Sequence, residues 1–199
     1  MAIVTAPLFS FRASGQLAKS LVYQQWKGLQ DVRSYTVPSN PQSAGQVTQR
    51  GYFSEAVDLW HDLGLDADDI VAWNRRANVA PSPRSGFNEF VSEYINLRVS
   101  GLSAAAIAMG FNGSIADSGA GQVDFAVTED GSAVAVDFLW GYTPTSLINV
   151  AAGVETANTW NAANVAVASD ATVYMRARIE AAANAIIGWT GIYRFGPTS

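Results

Sequence analysis

Three textures of apolar and polar positions follow one another along this chain. From Leu17 to Trp26 and from Leu29 to Val37, runs rich in Val, Leu and Tyr flank Trp26-Lys27-Gly28. Glycine accepts the positive φ that a tight reversal demands, so the stretch predicts a two-stranded ribbon turning there. In the second run Val32, Ser34 and Thr36 alternate with Arg33, Tyr35 and Val37, the period of two that separates a packed face from an exposed one. Pro38 and Pro41 then hold Val37 and Asn40 out of the α region, so the chain stays extended until a helix begins near Ser43. Before the ribbon, IVTAPLFSF within residues 1 to 14 reads as an edge strand or an N-terminal arm, because Pro7 argues against a central strand.

The second texture is helical. Val47, Phe53, Val57 and Trp60 form the apolar stripe of a helix from Ser43 to Leu63, which Gly64 is placed to end. Asp66 starts a second short helix with Asp69 as the carboxylate of a capping box, turning Ile70 and Trp73 inward. Asn78 through Pro83 break it. Ser85 caps a third helix, in which Phe87, Phe90, Val91 and Tyr94 recur at helical spacing with the stem of Arg98. Trp60, Trp73, Phe87, Phe90 and Tyr94 are core by this spacing.

From Leu102 onward the period changes to two. Val123, Phe125 and Val127 alternate, Glu129-Asp130-Gly131 is turn chemistry, and Val134, Val136, Phe138 and Trp140 alternate again, which predicts a hairpin. Thr172 to Glu180 places Val173, Met175, Ala177 and Ile179 on one face and Tyr174, Arg176, Arg178 and Glu180 on the other. Ile186 to Phe195 reads as a final strand, with a turn at Ala181 to Ala185 before it. Runs at Leu102 to Phe111, Leu147 to Val150 and around Val165 complete about six or seven strands, the spacing of a small antiparallel sandwich. The pattern as a whole predicts an α+β chain. An extended arm and β-ribbon occupies 1–42, a helical region of three short helices 43–100, and an antiparallel β-sandwich, Ig-like or jelly-roll-like, 101–199.

A 199-residue chain with 49% hydrophobic residues is ample for a buried core. Its charged fraction of 15% is low beside the usual proportion of about a quarter, which suits a protein packed against neighbours. The charge is also unevenly placed. Residues 1–50 carry Arg12, Lys19, Lys27, Arg33 and Arg50 against Asp31, whereas residues 101–199 carry eight acidic groups against Arg176, Arg178 and Arg194. Opposite signs in the two parts favour contact between copies. Five dispersed cations fall short of the basic tract that nucleic acid calls for, so nucleic acid is the lesser partner. No cysteine is present, which removes disulfides and thiolate metal sites. No run approaches the roughly 18 apolar residues of a membrane span, and the opening residues lack the form of a signal sequence. The expectation is a soluble protein folded in a cytoplasm.

The ribbon also carries a resemblance. WKG, then an Arg within a β-run, then P-x-N-P, then a Gln-rich helix start with Gln49-Arg50 and Phe53, resembles a group of largely uncharacterised proteins encoded by phages and prophages. The Gly-rich lead-in Ser14-Gly15-Gln16 to Lys19 and the later Ala72-Trp73-Asn74 belong to the same pattern, which covers the first half of the chain. The resemblance implies a virion-associated structural role, with the protein made in the host cytoplasm, carried in the virion and in contact with other virion proteins.

Candidate chemistry is sparse. His61, the sole histidine, sits beside Trp60 at a helix end, where a solvated or packed role accounts for it better than a triad. Asp66, Asp68 and Asp69 lack the glycine and glutamate of a calcium loop and suit a helix N-terminus, and Glu129 and Asp130 are more simply a turn. The glycines at 110, 113, 119, 121 and 131 make no phosphate-binding pattern and read as loop glycines. No catalytic residue, metal site or cofactor is assigned. The expected subunit contacts are Tyr23, Trp26, Lys27, Arg33, Tyr35, Arg50 and Phe53, with copies of the chain joined as a homo-oligomer by its arm. Trp140 and Tyr142 are expected at the surface as ligand contacts, the basis of an alternative reading as a carbohydrate-binding or host-adhesion module.

Overall fold

The computed structural model describes residues 15–26, 29–37, 39–82, 84–119, 121–129, 133–156, 159–182 and 185–196. The expected opening strand or arm of residues 1 to 14, Lys27, Gly28, Pro38, Asp130 and Gly131 lie outside these. The protein is α+β and divides into two compact units, Met1–Ser43 and Ala44–Ser199.

The first unit holds an antiparallel sheet of β1 (Gly15–Leu17), β2 (Leu21–Trp26) and β3 (Leu29–Ser34), in that order. The β2–β3 ladder runs from Leu21↔Ser34 to Trp26↔Leu29, so the two ribbon strands pair as expected and Trp26, expected in the turn, ends β2. The strand expected from Leu17 to Trp26 is instead two. Ala18 and Lys19 adopt φ of 46° and 53°, and the Ser20 amide donates to the Leu17 carbonyl at 2.9 Å, turning the chain back on itself. The Ser20 hydroxyl donates to the same carbonyl at 2.9 Å and secures the turn.

The second unit opens with α1 (Ala44–Asp62), α2 (Ala67–Val79) and α3 (Gly86–Val99). Gly64, at φ 63°, follows α1. The Asp66 side chain accepts from the Asp69 amide at 2.8 Å and Asp69 returns the contact to the Asp66 amide at 3.2 Å, closing the anticipated capping box. Ser85 caps α3 through the Asn88 amide at 3.3 Å. Trp73, Phe90 and Tyr94 are buried, with Trp60 and Phe87 packed against them. The rings of Trp60 and Trp73 meet Phe90 edge-on at 5.0 and 5.1 Å. Each fully buried aromatic of this kind contributes about 1.5–3 kcal/mol.

Two expectations fail on the helices. Ile70 is exposed, because α2 turns Asp69, Ala72, Trp73, Arg76 and Ala77 inward and leaves Ile70 off that face. Val47 and Phe53 are about half exposed, because the buried residue of α1 is Ala56, in its second half, and the side chains before it stay at the surface.

After a short 3₁₀ turn at Ala104–Ala106 come the strands β4 (Gly110–Gly119), β5 (Gln122–Glu129), β6 (Ala135–Gly141), β7 (Asn149–Ala152), β8 (Val154–Thr156), β9 (Thr159–Ala166), β10 (Val173–Ala181), β11 (Ala185–Trp189) and β12 (Tyr193–Phe195). They make two antiparallel sheets, β4-β5-β9-β8 and β11-β10-β6-β7, with β12 also on β10. Val123, Phe125 and Val127 of one sheet share a core with Val136, Phe138, Met175 and Ile179 of the other. The helices join this body directly: the Ile192 amide donates to the Ala72 carbonyl at 3.0 Å, and Ala72 sits in the sandwich core.

Three strand expectations are corrected. The runs at 123–127 and 134–140 are not a hairpin. They become β5 and β6 of opposite sheets, and Phe125 faces Phe138 with ring centroids 5.8 Å apart. Both runs have one apolar face, and setting those faces against each other buries both. The strand expected over Leu102 to Phe111 begins only at Gly110, so Gly110 and Gly113 are strand residues. A Cβ on Gly113 would lie 2.2 Å from the Tyr193 ring. The single strand expected over Ile186 to Phe195 breaks at Thr190–Ile192, where the Thr190 hydroxyl accepts from the Ala177 amide at 2.8 Å and Ile192 turns to α2.

Candidate functional site

The ribbon forms from local pairing, yet its described side chains make no core. Between Gly15 and Ser43, none of the residues whose burial is described is buried. Leu17, Val32 and Val37 are 44, 51 and 70% exposed. Among the expected contact residues, Arg33 is exposed and Tyr23 and Tyr35 are half-buried. Trp26 closes the β2–β3 ladder through its backbone, and Lys27 lies outside the described residues. Edge strands β1 and β3 each have one unpaired side within the sheet. Exposed backbone donors and acceptors of that kind are a template for another strand.

The second unit has its own open surface at the start of α1. Every residue from Ala44 to Gly51 is exposed, Arg50 among them, and Phe53 is exposed one turn later. An isolated helix of that length draws little stability from propensity alone, and this half of α1 buries no apolar face.

The expected ligand contacts on the sandwich divide. Trp140 is 9% exposed and belongs to the core, because the alternation of β6 points it inward with Val136 and Phe138. Tyr142 is half exposed, sets its ring edge-on to Trp140 at 5.8 Å, and its hydroxyl accepts from the Ala168 amide at 3.0 Å. The pair braces the end of the sandwich and offers no aromatic platform. Asp117 and Asp170 line a recess of about 260 Å³, but both are exposed, and Asp117 accepts from the Gly119 amide at 2.8 Å.

Two polar clusters went unnoticed in the sequence. In the first, Asp69 is buried at the start of α2, accepting from the Asn112 amide at 3.1 Å and from the Tyr193 hydroxyl. Burial, and then the Asp69 charge, raise the Tyr193 hydroxyl above its ordinary range. In the second, Arg76 is buried between Glu93 at 2.7 Å and Glu89 at 3.4 Å and donates to the Thr190 carbonyl at 3.0 Å. Burial lowers the Arg76 guanidinium despite those carboxylates. Arg84 meets Glu89 at 3.3 Å, and Arg176 rises from the outer face of β10 to lie over the Trp189 ring at 4.3 Å. Arg76, Arg84, Glu89 and Arg176 line a cleft of about 490 Å³ between the helices, β10 and the loop Pro144–Ile148. The alternation of Thr172 to Glu180 had placed Arg176 on the outward face. Nothing local showed that α2 and α3 would come to lie beside it.

His61 is exposed at the end of α1. Among the described residues, no group of three His, Asp or Glu side chains is placed to hold a metal ion, and no helix is long and apolar enough to cross a membrane. The class these observations define is an α+β protein with a helix-flanked β-sandwich and a separate ribbon unit. No family model matches the chain, and neither a curated protein nor a solved structure matches it.

Proposed function

We propose that the chain is a non-enzymatic structural protein of a phage virion, a head auxiliary or decoration component assembled in many copies through its N-terminal arm. The observation that carries this reading is the ribbon: a regular sheet in residues 15–34 whose described side chains include no buried one. Such a sheet has too little apolar surface to be stable alone, so a neighbouring copy is a natural source of cover. The mechanism is β-augmentation, in which an unpaired ribbon edge completes a sheet of the next copy and exposed apolar groups anchor it. The basic character of residues 1–50 against the acidic later half supports contact between copies over contact with nucleic acid. The resemblance of the WKG ribbon to phage-encoded proteins supplies the virion setting.

Sedimentation of the full chain and of a chain lacking residues 1–40 tests this directly. The full chain forms higher oligomers or joins the particle, while the truncated one stays folded and monomeric. Unchanged assembly after truncation removes the arm from the account.

A further inference from the structure

Each arginine around the Arg76 cleft can be followed to its counter-charge, with one exception. Arg76 holds Glu89 and Glu93, and Arg84 shares Glu89. Arg178, two residues along β10 from Arg176, holds Asp137 at 2.7 Å and Glu180 at 2.6 Å. Among the described residues Arg176 has no ion-pair partner, and its Nε is buried without a hydrogen bond. Its strand position explains this. Arg176 stands opposite Leu139 on β6, and on its other side the β11–β12 line is broken at Thr190–Ile192, so neither neighbour presents a carboxylate.

The surroundings make that cation costly to leave alone. Burial lowers the Arg176 guanidinium to about 10, with the nearby charge of Arg76 as the next cause. Glu93 and Glu89 offset part of this, but both are engaged by Arg76. The Trp189 ring lies over the guanidinium at 4.3 Å, a contact with the ring face that does not use the terminal N–H groups. A partly desolvated cation beside a second cation is relieved by an anion arriving from outside.

We propose that this cleft binds a compact oxyanion, a carboxylate or phosphate group, on the guanidinium of Arg176, with Arg84 as its second cationic contact. The planar fork of Arg176 suits two oxygens of one group, and Thr145 and Ser146, whose side chains carry hydroxyl donors, line the same cleft. Pro81, Leu147 and Ile148 on its walls suit a short apolar stem behind the charged head. The site lies wholly within the second unit and stands independently of the assembly reading.

The test is an NMR titration of the full chain with sodium butyrate and, separately, sodium phosphate, with ionic strength held constant by chloride. Saturable shifts at Thr145, Ser146, Arg176 and the Trp189 indole N–H are expected, with Kd on the order of millimolar for ligands this small. Arg176→Gln should weaken binding by about tenfold or more, through loss of the bidentate contact. Arg84→Gln, at a part-exposed position, should weaken it less while leaving the spectrum of the fold intact. Arg194→Gln, outside the cleft, should bind as the parent does. A response to butyrate, to phosphate or to both supports the site and identifies the head group it prefers. Absence of saturable shifts with either anion, or equal saturation in both cleft variants, overturns it.

Discussion

Tyr193 ties the end of the chain to the start of α2: its hydroxyl donates to Asp69, and its ring fills the space over Gly113 that a larger residue would occupy. Asp69 in turn accepts from the Asp66 and Asn112 amides, so one carboxylate joins a helix N-terminus, β4 and β12. A hydrogen bond to a charged acceptor is worth about 1.5–3 kcal/mol, and Tyr193→Phe should lower stability at pH 7 by that order. The pH dependence has a definite sign. The unfolded tyrosine ionises near 10.0, whereas the folded one, raised by burial and by Asp69, keeps its proton there. Its contribution is therefore complete below pH 10 and is lost as pH rises above it. Urea midpoints between pH 7 and 11 should fall more steeply for the parent than for Tyr193→Phe, and parallel curves would show that the alkaline loss arises elsewhere. The capping role of Asp69 was legible from its three-residue spacing to Asp66. Its second role was not, because Tyr193 lies 124 positions away and no local period links them.

At the scale of elements, the strands show how partners are chosen by packing and not by adjacency. Alternation in 123–127 and 134–140 correctly marked two half-buried strands, and the turn residues between them suggested that they pair. Each has one apolar face, however, and a hairpin would place both faces on the same side of a single sheet. Opposed across the sandwich, the faces bury each other, and backbone pairing passes to β4 and β9 for one strand and to β10 and β7 for the other. The same dependence on distant contacts makes Gly188 indispensable. A Cβ there would lie 1.4 Å from the Ala108 carbonyl oxygen, beside the hydrogen bond of 3.1 Å from the Ala108 amide to the Ile187 carbonyl. Backbone cannot yield as a side chain can, so Gly188→Ala should cost about 3 kcal/mol or more, read as a drop in the thermal or urea midpoint. A midpoint within error of the parent would mean that the 107–109 segment is free to shift.

On the scale of the whole molecule, apolar surface that the single chain leaves uncovered is the feature most open to test. Phe53 is 51% exposed on the leading half of α1, where no residue before Ala56 is buried. Replacing it with Asp should change folding stability by no more than about 0.5 kcal/mol, as for exposed positions generally. If α1 meets another copy, the same substitution should weaken self-association measurably by sedimentation, and unaltered association would exclude this face. Sequence alone determined the three helices with their caps at Asp66 and Ser85, the pairing of the two ribbon strands, and the two-residue period of the strands. These depend on φ preferences, capping hydrogen bonds and spacing within a few residues. Tertiary structure decided which strands pair, that Trp140 is buried, that Thr190 breaks the last strand, and that Arg76, Arg84 and Arg176 meet in one cleft. Those outcomes turn on which apolar faces shield one another and which charges are then left facing, and both are set by residues far apart in the chain.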